Sequence, residues 1–166
     1  MTKKVIFSLL LLFFNLSLIS QTKVAHIDTY ELISNMPEML KVQKQLEQYS
    51  KERMNEIREL RLAVRTKLEL YKSEADKKTP EENKERLQEI EGMEENIDLY
   101  YNQIIQDMQK MQEDLMKPIY DDVFKVIQEV GKENGFDYVL DSAKNQGVLL
   151  ANGFDLMEKV KIKLGF

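Results

Sequence analysis

Apolar residues in the middle of the chain recur every three or four positions along two long stretches. The first stripe consists of Val42, Leu46, Tyr49, Ile57, Leu60, Val64, Leu68, Tyr71 and Ala75. The second consists of Leu87, Ile90, Met93, Ile97, Tyr101, Ile104, Met108, Met111, Leu115, Ile119, Val123, Val126 and Val130. Such spacing is typical of one face of an α-helix. The pattern predicts two helices, each far longer than the usual 10–14 residues.

A helix-start signal lies between the two stripes. Thr79 is suited to the N-cap, Pro80 to the first helical position, and Glu82 stands three residues after the cap, as in a capping box. The sequence therefore predicts an antiparallel helical hairpin over residues 41–117 with its tip near 77–80. At 1.5 Å per residue, this coiled-coil-like arm would extend roughly 55–60 Å.

The flanking segments, 21–40 and 118–166, have a different pattern that predicts a small β-rich body. Three β-strands are predicted there: Val24–Ile27, Phe136–Leu140 and Gly147–Ala151. The fold class is therefore α+β and mostly α. A body of about 70 residues without cysteine is marginal for one core, which favours an oligomer that pools several bodies. The candidate oligomerisation core is Val24, Ile27, Val139, Leu140, Val148 and Leu149.

Residues 1–20 have the pattern of a secretory signal peptide. Lys3 and Lys4 precede a mainly apolar run, and Ser20 is a small residue before a mature start near Gln21. The run is short for a membrane span, which needs about 20 apolar residues. We expect export to the periplasm and no integral membrane span after cleavage, with an uncleaved anchor as the alternative.

Charge is divided unequally between the two predicted helices. Residues 41–78 carry 11 basic and 7 acidic side chains, whereas residues 81–117 carry 4 basic and 11 acidic ones. Folding at Thr79 places positions that are roughly equidistant from it side by side. The resulting candidate cross-hairpin ion pairs are Lys72–Glu85, Lys67–Glu91, Arg65–Glu94 and Arg61–Asp98.

Residue types argue against catalysis and against nucleic acid. The chain has no cysteine and a single histidine, His26, and it contains no phosphate-binding loop or paired His–carboxylate motif. Without residues 1–20 it carries 22 basic and 29 acidic residues, a poor composition for binding nucleic acid. We therefore expect no enzyme activity, no metal, no cofactor and no nucleic-acid partner.

Several segments together resemble the Skp/OmpH family of periplasmic chaperones. They are Lys23–Asp28, Leu32–Ser34 before Pro37, Leu115–Ile119, Glu133–Asp141, Gly147–Ala151 and Asp155–Leu156. Pro118, in the third segment, lies where the predicted arm would enter the body. The resemblance covers Lys23 to Leu164. It implies a homotrimer with a β-rich body and helical tentacles around a cavity that holds unfolded outer-membrane proteins without ATP. The chain departs from its basic relatives in its acidic charge, and His26 stands where they often carry an aromatic residue.

Holding an unfolded chain requires apolar side chains that the hairpin does not use for itself. Six arm residues lie off the two stripes and are the candidate client-binding positions: Met54, Leu62, Leu70, Leu99, Tyr100 and Ile105. Two other functions stay open on the sequence. The chain could be an envelope structural or adaptor protein whose hairpin, with tip residues Lys78, Thr79 and Pro80, binds one folded partner, or a scaffold tethered by an uncleaved signal.

Overall fold

The structure, a computed structural model, describes residues 22–166. The expected signal peptide at residues 1–20 lies outside this range. The elements in chain order are strand β1 (Val24–Ile27), helix α1 (Thr29–Ser34), helix α2 (Pro37–Glu74), a 3₁₀ turn (Ala75–Lys77), helix α3 (Pro80–Glu133), strand β2 (Tyr138–Asp141), strand β3 (Phe154–Asp155) and helix α4 (Met157–Leu164). This is a mostly α, α+β fold, as the hydrophobic pattern predicts.

The chain divides into two compact units, one of residues 22–29 with 125–165 and one of residues 30–124. The first, the sheet unit, contains a three-stranded sheet in the order β2-β1-β3 with both pairs parallel. Its buried side chains come from distant parts of the chain: Ala25, Ile27, Val126, Ile127, Val130, Ala143, Leu156, Met157 and Val160. The predicted domain limits, 21–40 with 118–166 and 41–117, remain a prediction.

One carboxylate joins the end of β2 to the start of α1. Asp141 Oδ1 accepts hydrogen bonds from the backbone N–H of Thr29 at 3.2 Å and of Ala143 at 2.9 Å, and Oδ2 accepts one from the Thr29 hydroxyl at 2.6 Å. The carboxylate thus satisfies backbone donors that a helix start and a turn leave unpaired. This arrangement fixes where the chain leaves the central strand.

The third strand differs from the prediction. Residues 147–151 form no strand, and the central strand pairs instead with Phe154–Asp155. The run Val148-Leu149-Leu150 is apolar but pairs with no strand of residues 22–166, and Phe154–Asp155 takes the second edge of β1. Leu149 is consequently 99% exposed and Leu150 is 76% exposed.

Helix α2 and residues 80–124 of α3 form a hairpin in the second unit, and the two helices meet along one row of β-branched side chains. We call this row the seam: Ile57, Val64, Ile90, Ile97 and Ile104. The α2 and α3 members are spaced seven residues apart, which keeps them on one face over two helical turns. Helix α3 continues through Pro118 without ending there.

Candidate functional site

The tip of the hairpin is closed by the predicted capping box. The Thr79 N–H donates to Glu82 Oε2 at 2.9 Å, and the Glu82 N–H donates to Thr79 Oγ1 at 3.2 Å. The hydrogen bond from the Thr79 backbone, with help from Lys78 at 3.0 Å, lowers the pKa of Glu82 to about 2. The start of α3 is therefore fixed by local hydrogen bonds that the sequence predicts.

Below the tip, a polar and aromatic network flanks the seam. Lys67 and the Tyr71 hydroxyl both donate to Glu89, and Arg86 Nη2 lies 2.7 Å from Glu74 Oε2. The Arg86 guanidinium stacks over the Tyr71 ring at 4.5 Å from its centroid. The Lys67 ammonium, followed by Tyr71, holds the pKa of Glu89 below its usual range. This network crosses from α2 to α3 and holds the two helices in register.

A second network of the same type lies nearer the start of α2. Arg53 Nη1 donates to Glu56 Oε2 at 2.8 Å and to the Tyr100 hydroxyl at 3.2 Å, while Tyr100 itself donates to Glu56. Arg53 also stacks over the Tyr49 ring at 5.3 Å. Each network combines an arginine, a tyrosine and a glutamate, so polar contacts join the two helices at two levels of the hairpin.

The predicted ion pairs can be compared with the structure one by one. Arg61 Nη2 lies 3.7 Å from Asp98 Oδ1, which is the pair that the register predicts. Lys67 binds Glu89 in place of Glu91, and Lys72 lies 3.3 Å from Glu69 of its own helix. Within residues 22–166, the remaining predicted members form no ion pair: Arg65, Glu85, Glu91 and Glu94.

The helix surface explains these differences. Each residue advances about 100° around the axis, so two residues at the same level can point away from each other. Glu89 and Glu91 flank the seam residue Ile90 on opposite sides, and only Glu89 reaches across to Lys67. Register alone therefore predicts the level of an ion pair but not its partner.

The six candidate client-binding residues fall into two groups. Met54 and Tyr100 pack against the seam, and Tyr100 belongs to the network with Arg53. The other four point to solvent with 37–62% of their surface exposed: Leu62, Leu70, Leu99 and Ile105. Leu62 and Leu70 share one shallow face of α2 with Ala63 and Thr66.

Three exposed residues of the hairpin were assigned by the sequence to the packed stripes. Leu60, Leu87 and Tyr101 are 43%, 57% and 39% exposed. A stripe of apolar residues at every third or fourth position is wider than the single row that the two helices bury. The seven-residue spacing of β-branched side chains identifies the buried row, and applying it would have left these three residues on the surface.

The candidate oligomerisation residues are also divided. Ile27 is buried within the sheet unit, and Val139 and Val148 are half-buried. Val24, Leu140 and Leu149 are exposed, together with Tyr138, Leu150 and Phe154. Val24 and Tyr138 are neighbours on adjacent strands, so they form part of one apolar sheet face.

The remaining chemistry of the described chain is sparse. His26 Nδ1 lies 3.4 Å from the Ser142 hydroxyl, and its strand pairs with both neighbours. Among residues 22–166, no three His, Asp or Glu side chains are arranged to share a metal ion. Every helix between residues 22 and 166 is too short or too polar to cross a bilayer.

A long helical hairpin and a small three-stranded parallel sheet in one chain define a class of mostly α, α+β proteins, and comparison with known proteins identifies the family. The sequence model described as "Outer membrane protein (OmpH-like)" matches residues 23–164. The chain therefore belongs to the OmpH-like family.

A solved structure shares the fold. It is that of a proposed outer membrane chaperone (OmpH-like) from Caulobacter crescentus CB15, with a TM-score of 0.77 at 13% sequence identity. The match covers 87% of this chain and 85% of that one. No curated protein matches the sequence.

Proposed function

We propose that this chain is a periplasmic, ATP-independent holdase chaperone that binds unfolded outer-membrane proteins and prevents their aggregation. The observation that carries the proposal is the set of exposed apolar side chains on a hairpin whose own packing is complete without them: Leu62, Leu70, Leu99 and Ile105. Membership of the OmpH-like family and the chaperone assignment of the Caulobacter protein support it. In this proposal the chain is not an enzyme and needs no cofactor.

Weak contacts explain capture and release without ATP. An unfolded barrel strand alternates apolar and polar side chains, so it presents an apolar group about every second residue. Fully burying one leucine yields about 1.5–3 kcal/mol, and a partly exposed one yields less. One such contact cannot hold a client, but several on neighbouring arms act together through their high effective concentration. Each contact can also break on its own, which allows the client to leave.

The proposal includes a homotrimer that encloses the client between the arms of three copies. Its support in this chain is the apolar surface left uncovered on the sheet unit, where Leu149 is almost fully exposed and Leu150 largely so. Residues 22–166 contain no cysteine that could stabilise this small unit by a disulfide. A second copy that covers this surface would add apolar burial. A monomeric mass by light scattering at micromolar concentration would exclude the trimer.

The test is aggregation of several outer-membrane proteins diluted from urea, followed by light scattering. We expect the mature protein to suppress aggregation of all of them at about one trimer per client. Protection of a single protein, with no effect on the others, would instead favour the adaptor function. Loss of residues 1–20 from the periplasmic form, read by mass spectrometry, tests the expected export.

A further inference from the structure

One face of α3 combines exposed apolar groups with carboxylates. Its members follow one another at steps of four, three, four, three and four residues, which is the spacing of a single helix face. We call it the α3 stripe: Leu87, Glu91, Glu94, Asp98, Tyr101 and Ile105. The three apolar members are 37–57% exposed, and the carboxylates between them are exposed as well. The stripe runs beside the seam and takes no part in it.

The carboxylates of the α3 stripe are poorly neutralised by the hairpin. Glu91 and Glu94 form no ion pair within residues 22–166. Asp98 meets Arg61 at 3.7 Å, but both side chains are more than 60% exposed. Arg65 lines the same cleft as Glu94 without bonding to it. Exposed pairs of this kind contribute about 0–1 kcal/mol, so an incoming cation can replace Arg61.

We propose that the α3 stripe is a docking surface for client segments in which basic residues are flanked by apolar ones. The order along the stripe is apolar, acidic and apolar, which is complementary to a segment that is apolar, basic and apolar. From Leu87 to Ile105 the stripe is about 27 Å long at 1.5 Å per residue. An extended segment of about eight residues spans the same length.

This inference rests on the proposed holdase function and adds a substrate class to it. The hairpin selects clients by charge, and the preferred charge is positive. Arg61 and Arg65 set the strength of the selection, because they are the α2 cations that compete for the stripe's carboxylates. Salt weakens the preference, since exposed charges are screened beyond about 10 Å at 0.1 M ionic strength.

The test is binding of three fluorescent ten-residue peptides to the full-length mature protein, measured by anisotropy. The peptides share their apolar ends and carry lysine, glutamine or glutamate at the centre. We expect the lysine peptide to bind about tenfold more tightly than the glutamate peptide at low salt, with the difference shrinking at 0.5 M NaCl. Arg61→Gln, which removes a competitor, should strengthen binding of the lysine peptide.

The decisive variant is Glu91→Gln with Glu94→Gln and Asp98→Asn, which removes all three carboxylates of the α3 stripe and should abolish the preference. Its matched control is Glu47→Gln with Glu59→Gln, two α2 glutamates that also form no ion pair within the described chain. Equal affinity for the three peptides, no binding of any of them, or a preference that survives the α3 variant would each overturn the docking surface. Aggregation suppression in the same preparation separates the claims: if it persists in these cases, the holdase function stands, and if it is absent, both fail.

Discussion

The sheet unit and the hairpin bury their apolar side chains in different ways. In the sheet unit, Ala25 and Ile27 lie against residues more than 100 positions later in the chain, and Leu156 and Val160 are fully buried. In the hairpin, the two helices share a single row of buried side chains from Ile57 to Ile104. Half-buried side chains such as Leu68 and Met93 pack against that row, and most of the remaining surface faces solvent. A core built from distant segments holds all of its elements in one arrangement. A single row of buried side chains between two helices fixes only the register of those helices. The hairpin therefore keeps apolar side chains available for other molecules.

Truncation of a buried isoleucine should affect the two regions differently, and this is the largest expected effect. Ile27→Ala and Ile97→Ala each remove a side chain that is at most 6% exposed, and such changes cost about 2–5 kcal/mol. Ile97→Ala should raise hydrogen exchange in the facing parts of α2 and α3 while strands β1 and β2 stay protected. Ile27→Ala should raise exchange throughout the sheet unit.

Hydrogen exchange read by mass spectrometry distinguishes these outcomes at peptide resolution. The contrast would be lost if Ile97→Ala opened the strands as fully as Ile27→Ala does. In that case the hairpin and the sheet unit would unfold as one cooperative unit.

Two glycines offer a smaller and opposite pair of effects. A Cβ added at Gly131 would lie 2.8 Å from Val139 Cγ2, inside the sheet unit, whereas a Cβ at Gly92 in α3 would meet nothing within 4 Å. Gly131→Ala should destabilise by about 1–3 kcal/mol through overpacking against a stiff valine. Gly92→Ala should stabilise the hairpin by about 1 kcal/mol, because alanine is the better helix former.

Thermal unfolding followed by circular dichroism measures both glycine variants against the parent chain. A destabilised Gly92→Ala protein would mean that this position has a packing role that the hairpin does not reveal. Hydrogen exchange around residue 92 would then locate the affected turn.

The smallest effect concerns acid at the hairpin tip. The pKa of Glu82 is lowered to about 2, below the value near 4.3 expected for an unfolded chain. Its contribution to stability is therefore complete above about pH 4.5 and is lost as the pH falls toward 2. Glu82→Gln should remove this pH dependence at the tip and leave that of the sheet unit unchanged. Carboxyl NMR titration of Glu82 provides the check, and a midpoint near 4.3 would contradict it.

The local hydrogen bonds at the hairpin tip were predictable from the sequence. Which side chains lie on which helix face was harder to predict. Thr79, Pro80 and Glu82 act within one helical turn, so their capping box is confirmed. The partner of Lys67 depends on the direction in which each helix face points, and the sequence does not determine this direction. In the structure, Lys67 pairs with Glu89 in place of the predicted Glu91. Residues chosen because they lay off the stripes included Tyr100, which the structure bonds to Arg53.

Pairing between distant segments was the hardest part to predict. The strand at Val24–Ile27 was correctly predicted. The predicted strand Phe136–Leu140 agrees with β2, Tyr138–Asp141, to within two residues at each end. The third strand was wrong: the apolar run Val148-Leu149-Leu150 predicted it, but Phe154–Asp155 pairs with β1 instead. An apolar run with no partner in its own chain is also what a surface covered by another copy would look like. The apolar pattern at residues 147–151 therefore predicted a strand where the single chain has exposed apolar side chains.

The claim that the outer surface of the hairpin holds clients has a direct test. Leu62, Leu70, Leu99 and Ile105 are replaced together by glutamine, which keeps the helices because glutamine is a good helix former. Tyr30→Gln with Leu40→Gln is the matched control, since both residues are exposed and lie outside the stretch from Ile57 to Ile105. The measurement is the chaperone concentration that halves aggregation of an outer-membrane protein diluted from urea. We expect this concentration to rise about tenfold in the fourfold variant and to stay unchanged in the control. Full protection by a well-folded fourfold variant would contradict the claim.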